Sequence, residues 1–187
     1  MVRSLALYQR RQSGRVPKHV VVHKSTEYKP DEVEGCFEAW PSPEGLELVQ
    51  VQQHVSWRGV HIEAPREGFG SKGAPGPYPC QRGSYLQLGG REVLLWTQGN
   101  MPDVAGGRNF YKEGKGIPQP LLLVRFAGHG PWHDGCLHVL GLTKMDWNND
   151  GPYDLLPVTM GYAQVLARTV KRMPSLAPRP YQFRFFM

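Results

Sequence analysis

Cysteine is scarce. Cys36, Cys80 and Cys136 are the three in 187 residues, far apart and odd in number. No CxxC pair exists, so neither a disulfide framework nor a thiolate metal site is indicated, and a reduced, cytoplasmic compartment fits. Long apolar runs are missing too. The longest, Pro120-Leu-Leu-Leu-Val124, is far too short to span a bilayer. No apolar segment follows the basic residues of the N-terminus, so no signal peptide is expected. Acid is in deficit: 16 Asp and Glu stand against 22 Lys and Arg, a net charge of +6. That balance suits a polyanionic partner, and it equally suits simple solubility. Apolar residues make up 40% and charged residues 20%, which excludes a disordered chain and indicates one domain with a core.

What is present reads as alternating strands and helices. Residues 1–16 are polar and basic, either a helix end or a leader. Pro17 introduces the β-branched run His19-Val-Val-Val-His23, expected as a buried strand. Pro30-Asp-Glu-Val-Glu is a helix start, since a first-turn proline loses no hydrogen bond and the acids favour the positive end. That helix should end near Trp40-Pro41. Leu46–Gln52 alternates and reads as a strand. Residues 64–80 are Gly/Pro-rich and read as a loop. Residues 83–88 and 92–96 form a hairpin around Gly89-Gly90. A glycine-rich connection, 98–118, leads to a strand at Leu121–Phe126. Cys136–Leu142 is a helix segment or a strand.

The clearest element is a helix over 157–173. Val158, Tyr162, Val165, Leu166, Thr169, Val170 and Met173 form one stripe, with Arg168, Lys171 and Arg172 expected opposite. Before it lies the loop Leu142-Thr-Lys-Met-Asp-Trp-Asn-Asn-Asp150. Lys144, Asn148, Asn149, Gln164, Arg168, Lys171 and Arg172 thus gather phosphate-binding groups where a loop meets a helix N-terminus. The same residues also suit an ordinary polar loop and a solvated helix face. His129, His133 and Asp134 are a weak metal candidate, because Gly-Pro-Trp interrupts them. Trp57, Trp96 and Trp132 fit core or surface filler better than base stacking.

Residues 17–187 resemble the C-terminal part of the PIWI domain of a prokaryotic-type Argonaute. The resemblance rests on Pro17–Lys24, Tyr78-Pro-Cys-Gln-Arg-Gly-Ser-Tyr85 and Val139–Met173, above all the Thr143–Asn149 wording. It implies an α/β, RNase H-like fold, a central mixed sheet flanked by helices. The family's nucleases hold two divalent metal ions on acidic residues. One acid follows the strand here read as His19–His23, and the matching position is Ser25. A further ligand, Asp or His, lies one turn into the helix after the matching proline, at Tyr162. Neither side chain suits a divalent cation, although a slipped register would bring Glu27 near the first position. Two more acids and the domain that grips the guide 5′ end would fall upstream of Met1. The resemblance therefore implies a catalytically inactive piece with no metal for catalysis.

The implied function is binding of a short guide RNA or DNA and a complementary target strand without cleavage, in prokaryotic defence. An effector protein or a missing Argonaute half would be the protein partner, and no membrane is involved. Arg82 would lie beside the nucleic-acid channel. The Met187 carboxylate would help hold Mg2+ at the guide 5′ phosphate, with Phe183, Phe185 and Phe186 anchoring the tail. The alternatives are a guide-dependent endonuclease whose acids lie in a missing N-terminal part, and an interaction scaffold that binds no nucleic acid.

Overall fold

The computed structural model describes residues 1–40, 42–65, 73–102, 106–111, 114–146 and 154–173. Its elements are α1 (Val2–Arg11), β1 (Val20–Lys24), α2 (Pro30–Ala39), β2 (Leu46–Gln52), β3 (Ile62–Glu63), β4 (Ala74–Pro75), β5 (Tyr85–Gln87), β6 (Glu92–Leu95), β7 (Leu121–Ala127), α3 (Trp132–Leu142) and α4 (Val158–Arg172). β1, β2, β7, β6 and β5 form one sheet in that order. β1 and β2 are parallel, and the other neighbours are antiparallel. Parallel partners need a crossover, which α2 supplies. This is the mixed α/β architecture, a central sheet flanked by helices, that the resemblance implies.

The phase of β2 decides which helices cover which face. Leu46 and Leu48 point to one side, into a cluster with Tyr28, Trp40, Val33 and Phe37 under α1 and α2. Val49 and Val51 point to the other, among Leu121, Leu123, Trp132, Val139 and Met160 under α3 and α4. The apolar set switches faces between Leu48 and Val49, where Phe126 of β7 is left without a register partner. So β2, the strand expected at Leu46–Gln52, is buried on both sides.

Burying both faces also buries Glu47 and Arg125. Arg125 Nη2 lies 3.4 Å from Glu47 Oε2, and Nη1 donates to Gly130 O at 2.9 Å. The guanidinium lies 4.1 Å from the centroid of the Trp132 ring. His19 Nε2 approaches the other oxygen, Glu47 Oε1, at 3.2 Å. A buried charge persists only when partnered, and here each has the other.

Local signals explain the helix ends. Pro30 opens α2, and the Lys29 N–H donates to Glu32 Oε2 at 2.9 Å. Glu32 also pairs with Lys24, which holds its carboxyl below the ordinary range, with the Lys29 N–H adding to the effect. Residues 1–16 contain the helix α1, whose Leu5 packs into the α2-side cluster. Cys136–Leu142 is helical. Within the expected 64–80 loop, Ala74–Pro75 pairs with Ile62–Glu63 as a short ribbon. Trp96 and Trp132 are core residues, whereas Trp57 is half exposed. His133 and Asp134 sit exposed in the first turn of α3, and no group of three His, Cys, Asp or Glu suited to a metal occurs among the described residues.

Candidate nucleic-acid interface

α4 begins with Pro157 at its N-cap, and its first turn buries Val158 and Met160. Beyond that turn the helix leaves the core: Val165 and Met173 are exposed. This corrects the expected stripe, of which only the N-terminal end is buried, and adds Met160 to it. A cleft of about 260 Å3 runs between the end of α3 and this helix, lined in part by Thr143, Asp146, Asp154, Tyr162, Gln164 and Arg168. Gly161, Val165 and Arg168 share its wall at i, i+4 and i+7. Arg168 therefore belongs to the cleft side, not opposite the stripe, and the same line continues by four residues to the exposed Arg172. Lys171 is exposed in the same last turn, and Lys144 is exposed just after α3. Asn148, Asn149 and the Met187 carboxylate lie outside the described residues, as do Phe183, Phe185 and Phe186.

Two joints hold the cleft. In the first, His23 Nδ1 and Thr159 Oγ1 share a hydrogen bond at 3.2 Å, tying β1 to the first turn of α4. Burial, and then the neighbouring His138, push the His23 imidazole down to about 4 from 6.5, so it stays neutral near pH 7. Ser25 lies two residues beyond this joint and Tyr162 three residues beyond it. The observed contact is between the end of β1 and the first turn of α4. Ser25 is exposed, and its carbonyl accepts from Gln50 Nε2 at 3.4 Å. The Tyr162 hydroxyl donates to Asp146 Oδ1 at 3.1 Å. Partial burial and that carboxylate hold the phenol above its ordinary range. Near Glu27, the Lys24 ammonium pairs with Glu32 and donates to the Glu27 carbonyl at 3.1 Å.

The second joint is Arg82. Its Nε donates to Thr97 O at 3.0 Å, and its Nη2 donates to Leu140 O at 3.2 Å and Thr143 Oγ1 at 2.7 Å. Thr97 Oγ1 in turn donates to Leu155 O at 2.7 Å. Burial lowers the Arg82 pKa from its ordinary value, and Asp154 opposes that shift. Arg82 was expected beside a nucleic-acid channel; its Nε and Nη2 are engaged within the fold. Two glycines permit this. Gly83 has φ +90°, and a Cβ there would lie 3.1 Å from Leu140 Cδ2. A Cβ on Gly99 would lie 2.3 Å from Cys80 O.

The sequence reading missed Asp146, Asp154, Thr97, Thr143, His23 and Thr159. Asp146 stood inside the quoted Lys144–Asn149 wording, where amides and lysine drew the attention. Electrostatically the cleft is mixed, with two carboxylates on its wall and Lys144, Arg168, Lys171 and Arg172 around it.

No protein-family model matches the sequence, and no curated protein matches it. The fold is similar to Clostridium butyricum Argonaute bound to a guide DNA (5′ deoxycytidine) and a 19-mer target DNA, with TM-score 0.62 and 18% identity over 92% of this chain and 20% of that one. It is also similar to A. aeolicus Argonaute with externally bound siRNA, with TM-score 0.51 and 19% identity over 90% of this chain and 20% of that one. A further structure of A. aeolicus Argonaute gives TM-score 0.51 and 19% identity over 86% and 20%. At these identities the likeness is one of fold. The chain spans a fifth of the length of the Argonautes it matches, 20% in each case.

Proposed function

We propose that the chain binds a short guide strand, RNA or DNA, paired with a complementary target, and does not cut either. Base pairing would supply sequence specificity, while the protein holds backbone. The observation that carries this reading is the cleft itself. It sets Tyr162, Gln164 and Arg168 on a surface continuous with Arg172 and near Lys144, in a fold shared with an Argonaute that holds guide and target DNA. Lys144, Arg168, Lys171 and Arg172 are the phosphate contacts. Asn148, Asn149 and Gln164 serve as neutral donors.

The absence of cleavage rests on side-chain chemistry. A serine hydroxyl and a tyrosine already bonded to Asp146 do not offer the anionic oxygens that paired divalent ions require. A structural Mg2+ at the guide 5′ phosphate is a separate matter. Asp146 and Asp154 line the same cleft and are hard oxygen donors of the kind such an ion takes. These two residues, with the Met187 carboxylate, would hold the ion, which would neutralise phosphate charge. Asp146 is also the observation that favours a second reading, metal-assisted cleavage with further acids from elsewhere in the protein. A cytoplasmic role in defence against foreign DNA, with an effector protein triggered by target recognition, fits the guided reading.

The test is binding of 5′-phosphorylated short RNA and DNA against unphosphorylated controls, with Mg2+ present. A 5′-phosphate preference and intact strands after long incubation support the proposal. Cleaved strands select the nuclease reading. No binding by a folded sample selects an interaction scaffold.

A further inference from the structure

We infer that Arg82 is a positioning residue for the cleft: it clamps the end of α3 to the chain after β6 and so sets the cleft wall, without touching nucleic acid itself. The inference rests on the proposed binding role of the cleft.

α3 ends without a basic residue in its last turn. The last carbonyls of a helix have no intrahelical partner, and they carry the negative end of its dipole. Arg82, distant in sequence, supplies both the cation and the donors: Nη2 reaches Leu140 O and Thr143 Oγ1. The other arm of the fork, Nε, reaches Thr97 O in the opposite direction along the chain. Thr97 passes the connection on to Leu155 O, at the approach to α4. Thr143, Asp154 and Leu155 all line the cleft. The guanidinium therefore holds the Thr143 side of the cleft directly and reaches the Leu155 side through Thr97.

The Arg82 backbone is locked as well. Its N–H donates to Asn100 O at 2.9 Å, and the next N–H, of Gly83, donates to Trp96 O at 2.8 Å. The side chain leaves a fixed strap and enters a half-buried site, with Thr97 and Thr143 almost wholly inaccessible. A side chain so placed has little freedom to swing toward an arriving phosphate.

Chemistry distinguishes clamp from contact. Lysine keeps the charge but has no planar fork, so it cannot bridge Thr97 O and the α3 end together. A phosphate contact would largely survive Arg82→Lys; a clamp would not. Thr143→Val removes one acceptor of the clamp, together with the hydroxyl's own bond to Leu140 O at 2.7 Å, and leaves every charge in place, so Arg82→Lys is the variant that isolates the guanidinium. Both variants would be compared with wild type and Arg82→Gln in oligonucleotide binding across a salt series, and in amide hydrogen exchange. Loosening the wall lowers the population of the competent cleft, and affinity falls in proportion. The expected result is a roughly tenfold weaker binding in Arg82→Lys and in Thr143→Val, a salt slope like that of wild type, and faster exchange near 140–144 and 155–156 but not in α2.

Wild-type affinity in Arg82→Lys, with a salt slope about one unit shallower in Arg82→Gln, would overturn the inference in favour of a direct phosphate contact. Unchanged affinity and exchange in all variants would overturn it outright. Should wild type bind no nucleic acid, the proposed function fails, and exchange alone then decides the clamp: faster in Arg82→Lys and Thr143→Val supports it, unchanged refutes it. Should Arg82→Lys fail to fold, Thr143→Val carries the test.

Discussion

Acid should loosen the joint between β1 and α4. His23 is held neutral at about 4 in the folded state, against 6.5 when free. The folded chain therefore takes up its proton later than the unfolded chain as pH falls. The stability tied to neutral His23 is present above pH 6.5 and is lost as pH falls through 6.5 toward 4. The full shift of about 2.5 units corresponds to roughly 3 kcal/mol, and between pH 7 and 4.5 the loss is about 2 kcal/mol. His138 and the Glu47–His19 contact lie on the same side of the sheet, and carboxylates titrate in the same range, so wild type alone does not isolate His23. His23→Gln does: the amide can still meet Thr159 Oγ1 and does not titrate. Urea unfolding of both proteins from pH 7.5 to 4.5 gives the difference curve. It should be flat above pH 7 and fall by about 2 kcal/mol toward pH 4.5. Parallel curves would falsify the assignment of a buried, neutral His23 at this joint.

Three further outcomes follow from the packing. Glu47→Ala leaves the Arg125 guanidinium buried beside Trp132 without its carboxylate, and should cost about 3–5 kcal/mol in chemical denaturation; a loss under about 1 kcal/mol would show that the pair is solvated. Gly83→Ala forces an L side chain into φ +90° and against Leu140, and should lower Tm by roughly 2–8 °C, whereas an unchanged Tm contradicts the strap geometry. Among the described residues β1 is an edge strand, with three valines, and such edges recruit other strands, so sedimentation of the chain alone should show association that grows with concentration. A single monomeric species across that range counts against an open β1 edge.

The sequence made the periodic elements legible because one physical signal governed each. A β-branched run gave β1, which is partly buried and not the fully buried strand expected; a leucine-rich run gave β7, Pro30 with its acids gave α2, and Pro157 with a helical stripe gave α4. It misled where two signals overlapped. β2 alternates, but its phase switches at Leu48/Val49, so the strand is buried on both faces. The α4 stripe is apolar along its whole length, yet only its first turn finds a core. Arg82 shows the limit most clearly. Residue type and a neighbouring glycine look the same for a phosphate contact and for a guanidinium that caps a distant helix. Only the tertiary placement of the α3 end separates them. The acids Asp146 and Asp154, on the wall of the cleft, were not singled out.

The measurement that bears most directly on the central claim is the salt dependence of 5′-phosphorylated oligonucleotide binding by wild type and by Lys144→Ala, Arg168→Ala, Lys171→Ala and Arg172→Ala. With four phosphate contacts, the slope of log K against log salt should be about −3, and each substitution should make it shallower by roughly 0.7–0.9. Salt-independent binding, or slopes untouched by all four substitutions, would contradict a nucleic-acid interface at the cleft and along α4.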